Sequence, residues 1–190
     1  DKYRIKVIDL SEVPSDMLAI IIGIVTRIIY DIQFWITPAK DEVRHPLVLV
    51  CDEAHIYMSN DMSKMKAVEK KSLEIFEKIA KEGRKYGVGL VVITQRPSEV
   101  NHTVLSQSSN FLAMRLTNSD DQNVIKKLLP DSLGNFSDLL PILDVGEAIV
   151  VGDASMLPSR ILIDTPEKKP DSATVKFWDK WSLNAVPDTI

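Results

Sequence analysis

Residues 47–53 read Leu-Val-Leu-Val-Cys-Asp-Glu, and Ala54 and His55 follow. Four apolar residues and one small residue lead straight into two acids. The run predicts a strand buried on both faces, as in a parallel sheet. A carboxylate buried without a partner is heavily penalised. Asp52 and Glu53 therefore belong at the exit of the strand, facing a ligand or a metal. The plainer alternative is a strand that ends in a solvated Asp-Glu turn.

Phosphate chemistry uses such a pair. One carboxylate holds Mg²⁺, usually through water, and the next polarises the water that attacks a γ-phosphate. In this order, at the end of an apolar strand, the two acids form the Walker B arrangement of a nucleotide hydrolase.

Composition sets the frame around this segment. The chain has 190 residues, of which 45% are hydrophobic and 26% charged, which is enough for one α/β domain with a good core. The net charge of −4 means that the chain as a whole does not attract nucleic acid, so any DNA contact must come from local basic loops. Cys51 is the only cysteine. No disulfide or cysteine-based zinc site can form within one chain, which suits a cytoplasmic protein. The apolar stretch 17–25 is too short to span a bilayer. Thr26 and Arg27 interrupt it before Ile28, Ile29 and Tyr30, so it reads as a buried helix and no membrane partner is expected. The charged start Asp1-Lys2-Tyr3-Arg4 leads into a strand pattern rather than a signal peptide.

Outward from the acidic strand, strands and helices alternate. Residues 3–9 predict a strand, with Ser11 as N-cap and Pro14 in the first turn of a helix over about 15–35. Residues 57–66 are polar and predict a mobile loop. A helix over about 67–86 follows, with Leu73, Phe76, Ile79 and Ala80 on one face, and Gly87 closes it. Residues 88–94 predict a second apolar strand that runs into Gln95-Arg96-Pro97-Ser98. Residues 110–116 predict a third buried strand. A helix is expected near 119–129, a short one over 132–140, and two late strands at 146–151 and 158–163, paired as a hairpin. Residues 1–165 thus read as one domain, and 166–190 as a tail with a helical turn at Phe177-Trp178. This order implies a parallel sheet with helices on both faces. Ligands in such sheets bind at the carboxyl ends of the strands, where Asp52, Glu53, Thr94 and Gln95 all fall.

Asp-Glu-Ala-His at 52–55 is followed by Lys81-Glu82-Gly83-Arg84-Lys85-Tyr86-Gly87 and Ile93-Thr94-Gln95-Arg96-Pro97-Ser98. Together these resemble the HerA/FtsK superfamily of ring-forming, RecA-like P-loop ATPases, and HerA-type DNA translocases most of all. Val7-Ile8-Asp9-Leu10-Ser11 is similar to the strand and turn before that family's long helix. Gly146–Gly152, with Leu157-Pro158-Ser159-Arg160, is similar to its closing strands. The resemblance covers about residues 3–165. It implies the following roles: Asp52 holds Mg²⁺ through water, Glu53 orients the attacking water, and Gln95 senses the γ-phosphate of ATP with Thr94 in support. Arg84 matches the arginine that reaches the nucleotide of a neighbouring subunit, with Arg96 and Arg160 as rivals. The structural alternatives are a solvated cation at a helix C-terminus for Arg84, a turn cap for Gln95 and an interface brace for Arg160. The three histidines, His45, His55 and His102, are too scattered for a metal cluster, and His55 reads as coupling the acids to neighbouring elements.

The chain contains no Gly-Lys-Ser or Gly-Lys-Thr. A P-loop needs that motif to hold the phosphates, and in the family it lies upstream of the strand at 3–9. The chain also lacks an initiating Met, so a piece of a longer ATPase domain is expected, inactive alone. In the intact protein the resemblance implies a homo-hexamer that moves double-stranded DNA beside a nuclease or defence effector. Lys64 and Lys66 lie in the polar segment after the acids. In a ring they would concentrate into an annulus that grips DNA phosphates; otherwise they belong to a solvated loop. Two further readings stay open: a related ring ATPase that moves protein, and a non-catalytic oligomerisation module.

Overall fold

The computed structural model describes residues 4–36, 45–63, 65–128 and 138–168. α1 (Ser15–Trp35) starts at Pro14, which is itself the N-cap residue. Ser11 is not the cap. Its backbone N–H donates to Asp9 Oδ1 at 3.0 Å, which closes a turn before the helix. Residues 4–10 form no strand, because no described strand pairs with them and Ile5, Val7 and Ile8 are exposed. A strand exists only through its ladder, whatever the alternation of its side chains.

α1 is long and apolar enough, by length and composition, to cross a membrane. Against the expectation of a buried helix, only one seam of it is buried, while Ile24, Ile28, Ile32 and Trp35 are exposed. Ala19, Gly23, Thr26, Tyr30 and Gln33 form its buried seam, and the seam packs on α2 (Ala67–Glu82). Gly23 sits where the helices cross. A Cβ there would clash with Ser72 Cβ. Tyr30 is fully buried and its hydroxyl donates to Glu82 at 3.0 Å.

β1 (Leu47–Cys51) and β2 (Val88–Val92) pair in parallel, with Leu47 opposite Val88 and Cys51 opposite Val92. Leu47, Leu49, Cys51, Val88, Leu90 and Val92 face α1 and α2 and join Leu73, Phe76 and Ile79 in the main core. The other face carries Val48, Val50 and Val91, exposed by 61%, 63% and 43%. The acidic strand is thus buried on one face rather than two. Among the described residues the helices cover that single face.

α2 ends in a 3-10 turn, Gly83–Tyr86, and Gly87 follows at φ 71°, a left-handed stop that favours glycine. Beyond β2, a short helix α3 (His102–Ser106) is capped by Asn101 Oδ1, which accepts from the Val104 N–H. β3 (Asn110–Ala113) does not join the parallel sheet. It pairs antiparallel with β4 (Glu147–Gly152), and β4 pairs antiparallel with β5 (Ser159–Leu162). β3 is half-exposed, because only Phe111 and Ala113 turn inward while Leu112 is 57% exposed. The late hairpin is found as expected. α4 (Ser119–Leu128) and a 3-10 turn at Leu140–Ile142 close a second core of Ile125, Leu140, Leu143, Ile149 and Val151. The expected helix over 132–140 falls mostly outside the described residues, and so does the helical turn at Phe177-Trp178.

Candidate active site

Parallel pairing of β1 and β2 in this register brings their carboxyl ends side by side. The ladder runs past both strands: the Ile93 N–H donates to the Cys51 carbonyl at 2.9 Å, and the Ala54 N–H donates to the Ile93 carbonyl at 3.0 Å. These bonds set Asp52 and Glu53 against Thr94 and Gln95. Gln95 Nε2 donates to Glu53 Oε1 at 2.9 Å. The two positions are 42 residues apart in sequence, and β-sheet register alone makes them neighbours.

Glu53 has φ 47° and ψ 44° and is the only non-glycine residue at positive φ among the described residues. For a residue with a Cβ this left-handed conformation costs on the order of 1 kcal/mol. Local bonds offset it. The Glu53 N–H donates to Asp52 Oδ1 at 3.0 Å. A 3-10 turn, Ala54–Ile56, follows at once, with Ala54 fully buried. The kink turns Glu53 back over the strand end towards β2. Its side chain is partly exposed, yet Oε2 has no exposed surface and accepts no hydrogen bond. His55 Nδ1 lies 3.4 Å from that oxygen and 3.2 Å from Thr94 Oγ1. Thr94 Oγ1 also accepts the Arg96 backbone N–H at 3.0 Å.

Beneath the acids, Tyr57 is buried and its hydroxyl donates to the Asp52 carbonyl at 2.7 Å. Burial, then the neighbouring Cys51 and the charges of Asp52 and Glu53, push its phenol pKa well up. The hydroxyl therefore stays protonated and remains a donor. Burial likewise pushes the Cys51 thiol up to about 11, so it is a neutral core group.

The segment after the acids is not mobile through its first half. Tyr57 and Met58 are buried. Ser59 forms a bridge with Val100, and the Asn60 N–H donates to the Glu99 carbonyl at 2.8 Å. The Asn101 N–H donates to the Met58 carbonyl at 2.6 Å. Asn101 Nδ2 reaches Glu77 on α2 at 3.1 Å. Two buried apolar side chains and this backbone pairing outweigh the polarity of the sequence. Lys66 is exposed at the start of α2, where its N–H donates to Glu69 at 2.7 Å. It lies on the carboxyl side of the sheet, because the chain leaves β1 there and returns through α2 to the start of a parallel strand. Lys64 falls outside the described residues.

The three arginines are not brought to the acids in the same way. Arg96 sits beside Gln95, but its Nη1 is tied to Glu99 at 2.9 Å. Arg84 lies exposed in the turn before β2, at the opposite end of the strand, about 13 Å or more from Gln95. Arg160 makes a two-pronged pair with Glu147 across the β4–β5 hairpin, at 3.1 and 2.6 Å. It therefore braces the hairpin within its own chain. A shallow cleft of about 400 Å³ beside Gln95 is lined by Arg96, Ser98, Glu99, Asn118 and Asp121. Asp121 is buried and accepts the Ser98 N–H at 2.9 Å, which ties α4 to the loop after Gln95. Sequence reading singled out neither Tyr57 nor Asn101 nor Asp121. An Asn three residues ahead of Val104 is a readable helix cap, but the reach of its amide to α2 is not.

The family model for the C-terminal domain of HerA-like helicases matches residues 33–166, which include the acids, Thr94, Gln95 and all three arginines. The chain belongs to the HerA-like helicase C-terminal family. The DNA double-strand break repair helicase HerA of Sulfolobus acidocaldarius is 29% identical over 179 residues, covering 94% of this chain and 35% of that protein. HerA of Pyrococcus furiosus is 35% identical over 119 residues, which cover 63% of this chain and 20% of that protein. The chain thus spans about a third or less of the length of these HerA relatives. Among solved structures, VirB4 of Thermoanaerobacter pseudethanolicus aligns with a TM-score of 0.56 at 20% identity, over 84% of this chain and 40% of VirB4. That likeness concerns fold alone. The fold of this HerA-like chain is that of the RecA-like P-loop NTPases: an α/β core with a parallel sheet, followed by antiparallel strands.

Proposed function

We propose that this chain supplies the water-activating and phosphate-sensing half of the ATPase site in a ring motor that moves double-stranded DNA. The observation that carries the reading is the meeting of Asp52, Glu53 and Gln95 at the carboxyl ends of two paired parallel strands. Membership of the HerA-like family supports it, as does the matching of relatives named as DNA double-strand break repair helicases.

The residues fit Mg²⁺ and ATP. Asp52 is exposed and spends Oδ1 on the Glu53 N–H, which leaves Oδ2 for a water of the metal shell. When bound, Mg²⁺ would neutralise charge on the β- and γ-phosphates. Glu53 Oε1, once released by Gln95, is the oxygen that would orient the attacking water, while Oε2 lies covered beside His55. In this reading Gln95 turns from Glu53 to the γ-phosphate; its contact with Glu53 supports a sensor coupled to the base. Thr94 fixes the loop behind Gln95 through the Arg96 N–H.

Arg84 is at the far end of β2 from the acids of its own chain. That position suits a guanidinium that serves the nucleotide of the next subunit in a hexamer, where it would counter transition-state charge. Arg96 is the rival for that role. Arg160, committed to Glu147, acts as a brace. On the carboxyl side of the sheet, Lys66, with Lys64 just before it in sequence, would present positive charge to DNA phosphates in the ring's channel. A nuclease or defence effector as partner, and a cytoplasmic setting, belong to the same proposal. The isolated 190 residues, without a Gly-Lys-Ser/Thr motif, are predicted not to turn over ATP.

The test is ATP hydrolysis by the full-length protein with and without double-stranded DNA. Stimulation by DNA that weakens as salt rises fits the proposal. ATP hydrolysis that ignores DNA but responds to an unfolded polypeptide would assign the motor to protein transport. Ring assembly with no ATP hydrolysis would leave an oligomerisation module.

A further inference from the structure

Gln95 holds Glu53 through its amide nitrogen, the same group that would donate to a γ-phosphate. When its amide turns to the γ-phosphate, Glu53 Oε1 loses its donor. A glutamate has three rotatable bonds, and this one sits on a left-handed backbone at the end of a strand. Something else must then keep the carboxylate aimed at water.

We infer that His55 is the positioning residue that holds Glu53 through Nδ1, moving its single Nδ1–H bond from Thr94 Oγ1 to Glu53 Oε2. This rests on the ATPase reading above. The geometry closes on one atom. Nδ1 lies 3.2 Å from Thr94 Oγ1 and 3.4 Å from Glu53 Oε2, the oxygen that is covered and accepts no hydrogen bond. Thr94 Oγ1 cannot drift, because it accepts the Arg96 N–H at 3.0 Å. The imidazole cannot drift either. It projects from the 3-10 turn Ala54–Ile56, and its side chain is only 16% exposed.

With the proton on Nδ1, the imidazole donates to Thr94 in the present arrangement. A shift of a few tenths of an ångström brings it to Glu53 Oε2. Loss of the Gln95 bond on one carboxylate oxygen is then matched by a gain on the other. His55 touches neither water nor phosphate in this scheme and acts only through Glu53. His55 is two positions from Glu53 in sequence and 39 from Thr94. It is the side chain that ties the acidic strand to the sensor strand beneath the Gln95 bond.

The test uses the full-length protein and three variants: His55→Ala, His55→Asn and His55→Gln. The amide nitrogen of Asn falls near the place of Nδ1, and that of Gln near Nε2. The readouts are steady-state ATP hydrolysis, binding of a non-hydrolysable ATP analogue, and Tm. His55→Ala should lower kcat on the order of 10- to 100-fold, the scale of a misaimed catalytic group, with analogue binding within about twofold. His55→Asn should recover most of the loss, and His55→Gln little of it. In a Glu53→Asp background, whose carboxylate is withdrawn from the imidazole, His55→Ala should change the residual rate less than about twofold. An active protein whose kcat does not respond to His55→Ala overturns the inference and leaves the ATPase reading standing. Equal losses in all three variants with a matching fall in Tm also overturn it, since His55 would then be a packing residue. A wild-type protein with no ATP hydrolysis at all overturns both.

Discussion

Gln95 Nε2 donates to Glu53 Oε1 across 2.9 Å, joining the loops that leave two neighbouring parallel strands. The bond links the group assigned to sense phosphate with the group assigned to activate water. Replacing Gln95 with Ala in the full-length protein should lower kcat for ATP on the order of 100-fold, the scale seen when one preorganised polar group is lost from a transition-state site. The affinity for a non-hydrolysable ATP analogue should change little. A variant that hydrolyses ATP at the wild-type rate would make Gln95 a turn cap and no more.

The helix crossing at Gly23 makes a sharper claim about the fold. A Cβ at Gly23 would clash with Ser72 Cβ and Ser72 Oγ. Gly23→Ala gains helix propensity but must push α1 off α2, and overpacking of this kind costs about 1–3 kcal/mol. Urea unfolding should show a net loss of stability. Adding Ser72→Gly should return part of that loss, because the clash is with the serine's own Cβ. Equal stability of Gly23→Ala and wild type would mean that the two helices do not approach this closely.

Cys51 offers a chemical probe of the strand beneath the acids. It is buried, and burial holds its thiol near a pKa of about 11. The thiolate is the form that attacks an alkylating reagent. At pH 8, iodoacetamide should leave Cys51 unmodified in the native protein and label it fully in urea, as read by mass spectrometry. Rapid native labelling would place Cys51 at the surface.

The closing hairpin should report pH. The Arg160 guanidinium, and then the Asp144 backbone N–H, hold the Glu147 carboxyl below its ordinary value. A depressed carboxylate pKa contributes stability that is present above the unfolded value of 4.5 and is lost as pH falls through the folded one. The hairpin should therefore weaken on acidification below about pH 4.5, by a small amount because the pair lies at the surface and Arg160 is exposed. Glu147→Gln should flatten that acid limb in a pH series of thermal melts. An unchanged limb would mean that the pair contributes nothing.

Much of this arrangement was legible in the sequence. The apolar run ending in Asp52-Glu53, the left-handed stop at Gly87 and the hairpin at 147–162 were each marked by local pattern. What was not legible depends on pairing across long separations. Alternation at residues 4–10 looks like a strand, yet no described neighbour completes its ladder. Apolar residues on both faces of β1 suggest double burial, yet Val48 and Val50 stay open. The run at 110–116 carries no mark of its direction, and its antiparallel pairing with β4 comes from residues 36 to 42 positions away. Segment 57–63 looks mobile by composition, but Met58 and the bridge to Val100 anchor it. In the candidate site, the apolar run marked the acids, and the family resemblance pointed to Gln95. The left-handed Glu53 and the reach of His55 to Thr94 follow only from register.

The most direct test of the central claim is the rate of ATP hydrolysis by the full-length protein carrying Glu53→Gln, measured beside its binding of ATP. The amide keeps the shape and the contact with Gln95 but cannot polarise water. The account predicts that hydrolysis falls by at least about 100-fold while ATP still binds. Hydrolysis at the wild-type rate in that variant would contradict it.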